Sequence, residues 1–127
     1  MEPQNMEKRR ILVIEDEPVI GTVCRRVLGG RGFDVDIVTG SKTAASSMHD
    51  RRYDLCILDW RVPGMDGIQL YRLLNTGDPE SPENTIPATG DAVSGKPGPP
   101  PDGPEKVYLQ KPFTPGELIA AVELALN

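Results

Sequence analysis

The sequence predicts an α/β protein built on a doubly wound parallel sheet, and three observations predict it. Ile11-Leu12-Val13-Ile14 and Leu55-Cys56-Ile57-Leu58 are short, continuous apolar runs, the pattern of strands covered on both faces. Between such runs lie longer segments whose apolar residues recur at helical spacing. The order of strands and helices alternates, which calls for helical crossovers and a parallel sheet.

The elements follow in order. Arg10 to Ile14 reads as the first strand. Glu15-Asp16-Glu17-Pro18 then supplies an acidic residue before a proline at the first helical position, a good helix start. Val19, Ile20, Val23, Cys24, Val27 and Leu28 carry the helix, which Gly29-Gly30 is expected to end. Phe33 to Val38 alternates as a strand near a sheet edge, and Ser41 is placed to cap a second helix with Ala44, Ala45 and Met48 inward. Leu55 to Leu58 forms a buried strand that delivers Asp59 to its C-terminal end. Ile68, Leu70, Tyr71, Leu73 and Leu74 predict a third helix stopping near Asn75 to Gly77. Val107-Tyr108-Leu109 reads as a strand, and Thr114-Pro115 opens a last helix with Leu118, Ile119, Val122 and Leu126 on one face.

Residues 77–104 break this rhythm with eight prolines and five glycines, including Pro99-Pro100-Pro101. Proline inside a helix costs about 3 kcal/mol, so Gly95 to Pro104 is not expected to be helical. Pro87 lacks a ladder donor and weakens the case for a strand at Thr85 to Thr89. The domain reading is a polar leader over 1–9 and one folded domain over 10–127 that contains this atypical Pro/Gly-rich stretch. At 127 residues, 38% of them hydrophobic, the chain is long enough for a single core. A net charge of −5 argues against nucleic acid as a direct partner of this chain. No apolar stretch approaches a membrane span or a signal peptide, and no membrane partner is expected. Cys24 and Cys56 lie in apolar segments, as buried, reduced thiols of a cytoplasmic protein would. His49, the only histidine, sits in a polar helical stretch and reads as a surface residue.

In doubly wound sheets, ligands bind beyond the carboxyl ends of the strands, where Glu15, Asp16, Asp59 and Lys111 all fall. Carboxylates gathered there repel one another unless a cation offsets them. Magnesium suits the task, because it takes oxygen ligands and bridges to phosphate oxygens. A carboxylate that attacks a phosphoryl group needs such neutralisation, a lysine can meet a phosphate oxygen, and a hydroxyl such as that of Thr89 can bind another. Singly these residues are ordinary: an acidic pair before a helix serves as a cap, and an aspartate after a strand serves as a turn. Their order, together at sheet ends, is what carries the reading.

Three blocks in series resemble the response-regulator receiver domain. Ile11 to Pro18 is similar to the receiver opening, Asp54 to Gly67 to the phosphoacceptor strand and the turn behind it, and Lys111-Pro112-Phe113 to the family's lysine-proline-phenylalanine. The resemblance spans about Arg10 to Leu126. It implies a five-stranded, flavodoxin-like receiver fold with Asp59 as phosphoacceptor. Glu15, Asp16, Asp59 and the Arg61 backbone carbonyl would hold Mg2+, Lys111 would contact phosphate across a cis bond to Pro112, and Thr89 and Tyr108 would form the switch. Gly90 would let phosphate approach. The family's fourth helix is expected to be missing here, its place taken by the Pro/Gly-rich stretch.

The resemblance implies a bacterial, cytoplasmic signalling protein. Its partners would be a sensor histidine kinase or histidine phosphotransfer protein and a downstream protein target that the sequence does not name. The alternative is a degenerate receiver that binds proteins without phosphorylation. An aspartyl-phosphate hydrolase is disfavoured, because Arg61 stands where such enzymes place a second aspartate.

Overall fold

The structure is a computed structural model that describes residues 8–59, 82–90 and 107–127. Five strands, β1 (Arg10–Ile14), β2 (Asp34–Val38), β3 (Leu55–Asp59), β4 (Asn84–Thr89) and β5 (Leu109–Gln110), form one sheet in the order β2-β1-β3-β4-β5. Every pairing is parallel. The order places β2 at an edge, as its alternating pattern predicts, and leaves β1, β3 and β4 inside. Three helices are described: α1 (Pro18–Gly30), α2 (Ser41–Asp50) and α3 (Pro115–Leu126).

Alternate residues of the buried strands feed two cores. Ile11, Val13, Leu55 and Ile57 pack with Cys24 and Leu28 of α1 and with Leu118, Ala121 and Val122 of α3. Leu12, Ile14, Cys56 and Leu58 pack with Val38, Tyr53 and Ala44 of α2, with Met48 against them. Helices therefore cover both faces, which is why Ile11 to Ile14 of β1 and Leu55 to Leu58 of β3 are apolar at every position rather than at every second one. Both cysteines are buried and free, and His49 is exposed.

Several local expectations are corrected. Gly29 and Gly30 lie within α1, and the helix closes through Gly32, whose φ of 92° suits a residue without a Cβ. Phe33 N donates to Leu28 O and Gly32 N to Gly29 O, the paired bonds of a Schellman ending. Val19 stands 72% exposed, so the inward stripe of α1 begins after it. Helix α2 is entered through Gly40 with no side-chain cap, so Ser41 is its first helical residue rather than its cap. Ala45 faces outward. The β2 strand starts at Asp34, and β5 is two residues, one of them Gln110, rather than Val107 to Leu109.

The largest correction concerns β4, which runs straight through a buried Pro87 paired with Leu58. Thr89 O accepts from Lys111 N on the β5 side, and backbone groups two residues apart on a strand face the same way. The nitrogen of Pro87 thus faces β5, whose pairing begins only at Ala88, and the ladder to β3 loses no donor.

The leader residues 1–7, the third helix expected over Ile68 to Leu74, Trp60, Arg61, Met65 and residues 77–81 and 91–104 of the Pro/Gly-rich segment lie outside the described residues. Among the described residues, no helix is long and apolar enough to cross a membrane.

Candidate functional site

Register brings the site together at the carboxyl edge of the sheet. Ile14 pairs with Leu58, so the next residues, Glu15 and Asp59, stand side by side. Asp59 in turn pairs with Ala88, and Thr89 with Gln110, which sets Lys111 beside them. The backbone bond from Lys111 N to Thr89 O, 2.7 Å, fixes the start of the loop after β5. The Lys111–Pro112 peptide bond is cis.

Lys111 is the largest fully buried side chain among the described residues, 1% exposed, and its ammonium is surrounded by carboxylates. Nζ lies 2.8 Å from Glu15 Oε1, donates to Glu15 Oε2 and Glu17 Oε1 at 3.0 Å each, and ion-pairs with Asp59 Oδ2 at 3.3 Å. Glu15 also accepts from the backbone N–H of Glu17 at 3.2 Å. Burying charges is costly unless they are paired, and here one cation answers several carboxylates.

The imbalance shows in the protonation equilibria. Burial pushes the Glu15 carboxyl up to about 7; the Lys111 hydrogen bond opposes the rise and the Asp59 charge adds to it. Asp16, on the exposed side, is raised by partial burial and by its neighbour Asp59. Burial alone would lower Lys111, but its hydrogen bonds to Glu15 and Glu17 outweigh this and hold it above the usual lysine value. With Glu15, Asp16 and Lys111 all raised, the cluster carries excess negative charge, and one more cation would relieve it.

The donor set suits such a cation. Glu15, Asp16, Glu17 and Asp59 each offer a carboxylate oxygen within 4.8 Å of the others, which matches the hard-oxygen preference of a divalent ion. Thr89 is fully buried, and its hydroxyl donates to Gln110 Oε1 at 3.3 Å. Gly90 follows with φ 94°, a conformation that excludes most side chains at that turn. Tyr108 is 42% exposed and lines a groove of about 420 Å3 with Phe113, Ala120 and Leu124 between β5 and α3.

The family of receiver domains of response regulators matches by its sequence model over residues 11–123. The chain belongs to that family. This receiver is similar to the DNA-binding response regulator MtrA of Mycolicibacterium smegmatis, 35% identical over 122 residues that cover 94% of this chain and 51% of that protein. It is also similar to the response regulator RppA of Synechocystis, 34% identical over 87% of this chain and 47% of that protein. The chain thus spans about half the length of the curated relatives it matches. Among solved structures, it superposes with a TM-score of 0.76 on the receiver domain of a Pseudomonas aeruginosa sensor histidine kinase, a structure with magnesium coordinated in the active-site cleft. That match is 28% identical and covers 94% of this chain and 98% of the other. A TM-score of 0.78 to a response regulator from Chloroflexus aurantiacus, 23% identical and covering 94% and 98% of the two chains, shows the same fold.

Of the receiver's sequence-predicted site residues, Glu15, Asp16, Asp59 and Lys111 come together. Thr89 stands one residue beyond the strand partner of Asp59, and Tyr108 lies toward the outer groove. Glu17 is the site residue that sequence reasoning missed. It occupies the cap position of α1, yet its side chain makes no cap bond and turns to Lys111 instead. Its place between an acidic pair and a proline reads first as a helix start, and nothing local in the sequence signals the lysine 94 residues away.

Proposed function

We propose that this receiver takes a phosphoryl group from a partner phosphohistidine onto Asp59 and passes the event on as a changed protein-binding surface. The observation that carries the reading is Lys111, a buried ammonium held between Glu15 and Asp59 at the carboxyl edge of the sheet. An Asp59 carboxylate oxygen attacks phosphorus, the phosphorus–nitrogen bond of the donor breaks, and the imidazole leaves. Lys111 would meet a phosphoryl oxygen as a point charge, as the phosphoryl group is loaded. Glu15, Asp16, Asp59 and the Arg61 backbone carbonyl would hold Mg2+, which neutralises charge on the transferring oxygens when bound.

Thr89 would leave Gln110 to bind a phosphoryl oxygen, and Tyr108 would respond by turning inward from its half-exposed place. Output is then a population shift between two packings around β4 and β5. The partners proposed are a sensor histidine kinase or histidine phosphotransfer protein and a downstream protein. The domain proposed for this chemistry is 10–127, with 77–104 as its atypical stretch.

Acetyl phosphate with Mg2+, followed by intact mass, tests the reading. One phosphate adduct is expected, absent in Asp59→Asn. No adduct, or an adduct that survives Asp59→Asn, overturns it in favour of a phosphorylation-independent binding module.

A further inference from the structure

We propose that Glu17 is a releasable counter-ion of Lys111, one that competes with the phosphoryl group for the lysine and so restrains the loading of Asp59. This rests on the phosphoacceptor reading above and adds a residue that sets its rate.

The three carboxylates around Lys111 are not equivalent. The side chains of Glu15 and Asp59 are 3% and 1% exposed, whereas that of Glu17 is 32% exposed. Withdrawing Glu15 or Asp59 from the lysine would leave a buried charge without its cation, which is costly. Withdrawing Glu17 returns a carboxylate to water, where an ion pair is worth little. Glu17 is therefore the partner that Lys111 can give up.

Among the described residues, nothing else holds the Glu17 side chain in place. A residue at a helix start ordinarily turns its side chain to the first free backbone N–H groups. Glu17 makes no such bond, and its backbone is already anchored through Glu15 Oε2. Helix α1 also has Pro18 at its first position, which needs no donor satisfied. The local fold thus permits Glu17 to swing outward without fraying the helix. A phosphoryl group on Asp59 adds about −1.5 to −2 charge within reach of the same ammonium. In the unphosphorylated state Glu17 occupies one donor of Lys111 at 3.0 Å, and loading Asp59 exchanges that carboxylate for a phosphoryl oxygen.

The test compares wild type, Glu17→Gln and Glu17→Asp by the initial rate of adduct formation with acetyl phosphate at saturating Mg2+, read by intact mass. In that reaction the bond between phosphorus and the acetyl oxygen breaks as the Asp59 oxygen bonds to phosphorus, and acetate leaves. Glu17→Gln is expected to load about two- to fivefold faster, the range of a half-exposed ion pair. Glu17→Asp keeps the charge but is one methylene shorter, so it is expected to load faster as well. A Glu17→Asp rate equal to wild type, with Glu17→Gln fast, would mean a field effect without contact and overturns the proposal.

Unchanged or slower loading in both variants also overturns it while the phosphoacceptor reading stands. A wild type that takes no phosphate removes both. Mg2+ affinity is followed by fluorescence of the single tryptophan, Trp60, adjacent to Asp59 in sequence. Glu17→Gln removes one charge of the acidic cluster and is expected to weaken that affinity by no more than about fivefold. A larger loss would make Glu17 a metal ligand and overturn the counter-ion role. Thermal melts confirm that each variant is folded at the assay temperature.

Discussion

Replacing Lys111 by methionine isolates what the buried cation does for the fold. Methionine nearly matches the volume of the lysine stem, so the change removes charge without opening a large cavity. It leaves Glu15 and Asp59 buried with no ammonium between them. Breaking a buried pair by removing one partner costs about 3 kcal/mol or more when the remaining charge stays ionised. The loss should depend on pH, because a carboxyl can escape by keeping its proton. In wild type Glu15 sits at about 7, above its ordinary 4.5, chiefly through burial.

A folded-state value above the unfolded one means the fold binds the extra proton. Stability from this group is therefore full below 4.5 and is lost as pH rises to about 7. The Lys111 hydrogen bond is the main force holding the value down, so its removal moves the folded value higher still. Above pH 7 wild type has finished losing stability from Glu15, and Lys111→Met continues to lose it, at up to about 1.4 kcal/mol per pH unit. Urea unfolding at pH 6.5 and pH 8.5 should show a gap between the two proteins that widens by about 1–2 kcal/mol. At the higher pH the midpoint temperature should fall by about 10 °C. A gap of equal size at both values, or one that narrows with pH, refutes the account of Lys111 as the cation balancing Glu15.

Other outcomes follow from single features. Gly32→Ala should cost about 1–2 kcal/mol in thermal or urea unfolding, because a Cβ there meets open space and the penalty comes from φ 92° alone. Tyr53, buried and donating to Asp36 Oδ2 at 2.6 Å, should ionise near 12 in an ultraviolet titration. Since its folded value lies above the usual 10, its contribution is retained below pH 10 and lost as pH climbs toward 12. Burial pushes the Cys24 thiol up to about 12 and raises Cys56 as well, so neither should react with a thiol reagent at pH 8 until urea is added.

Much of this receiver was legible in the chain itself. The apolar runs at Ile11 to Ile14 and Leu55 to Leu58 marked two of the three inner strands, because strands covered on both faces can lack polar positions. Strand β4, also inside, carries Asn84, Thr85 and Thr89 and was not legible this way. Strand ends then determined where Glu15, Asp16, Asp59 and Lys111 would meet, since a parallel sheet puts all its carboxyl ends on one edge. Local geometry was less legible. A glycine reads alike whether it sits inside α1, as Gly30 does, or supplies the positive φ, as Gly32 does. Pro87 reads as a strand breaker until the length of β5 shows that its nitrogen faces no waiting acceptor.

Tertiary structure alone decided how the charge in the site is shared. That Lys111 is buried, that Glu15 rises to about 7, and that Glu17 abandons its helix to pair with a lysine 94 residues away depend on distances between separate strands and on how much water remains between them. Residue type sets which groups can carry charge. Only the folded arrangement sets which partner each charge keeps and which it can release, because desolvation and pairing act through space rather than along the chain.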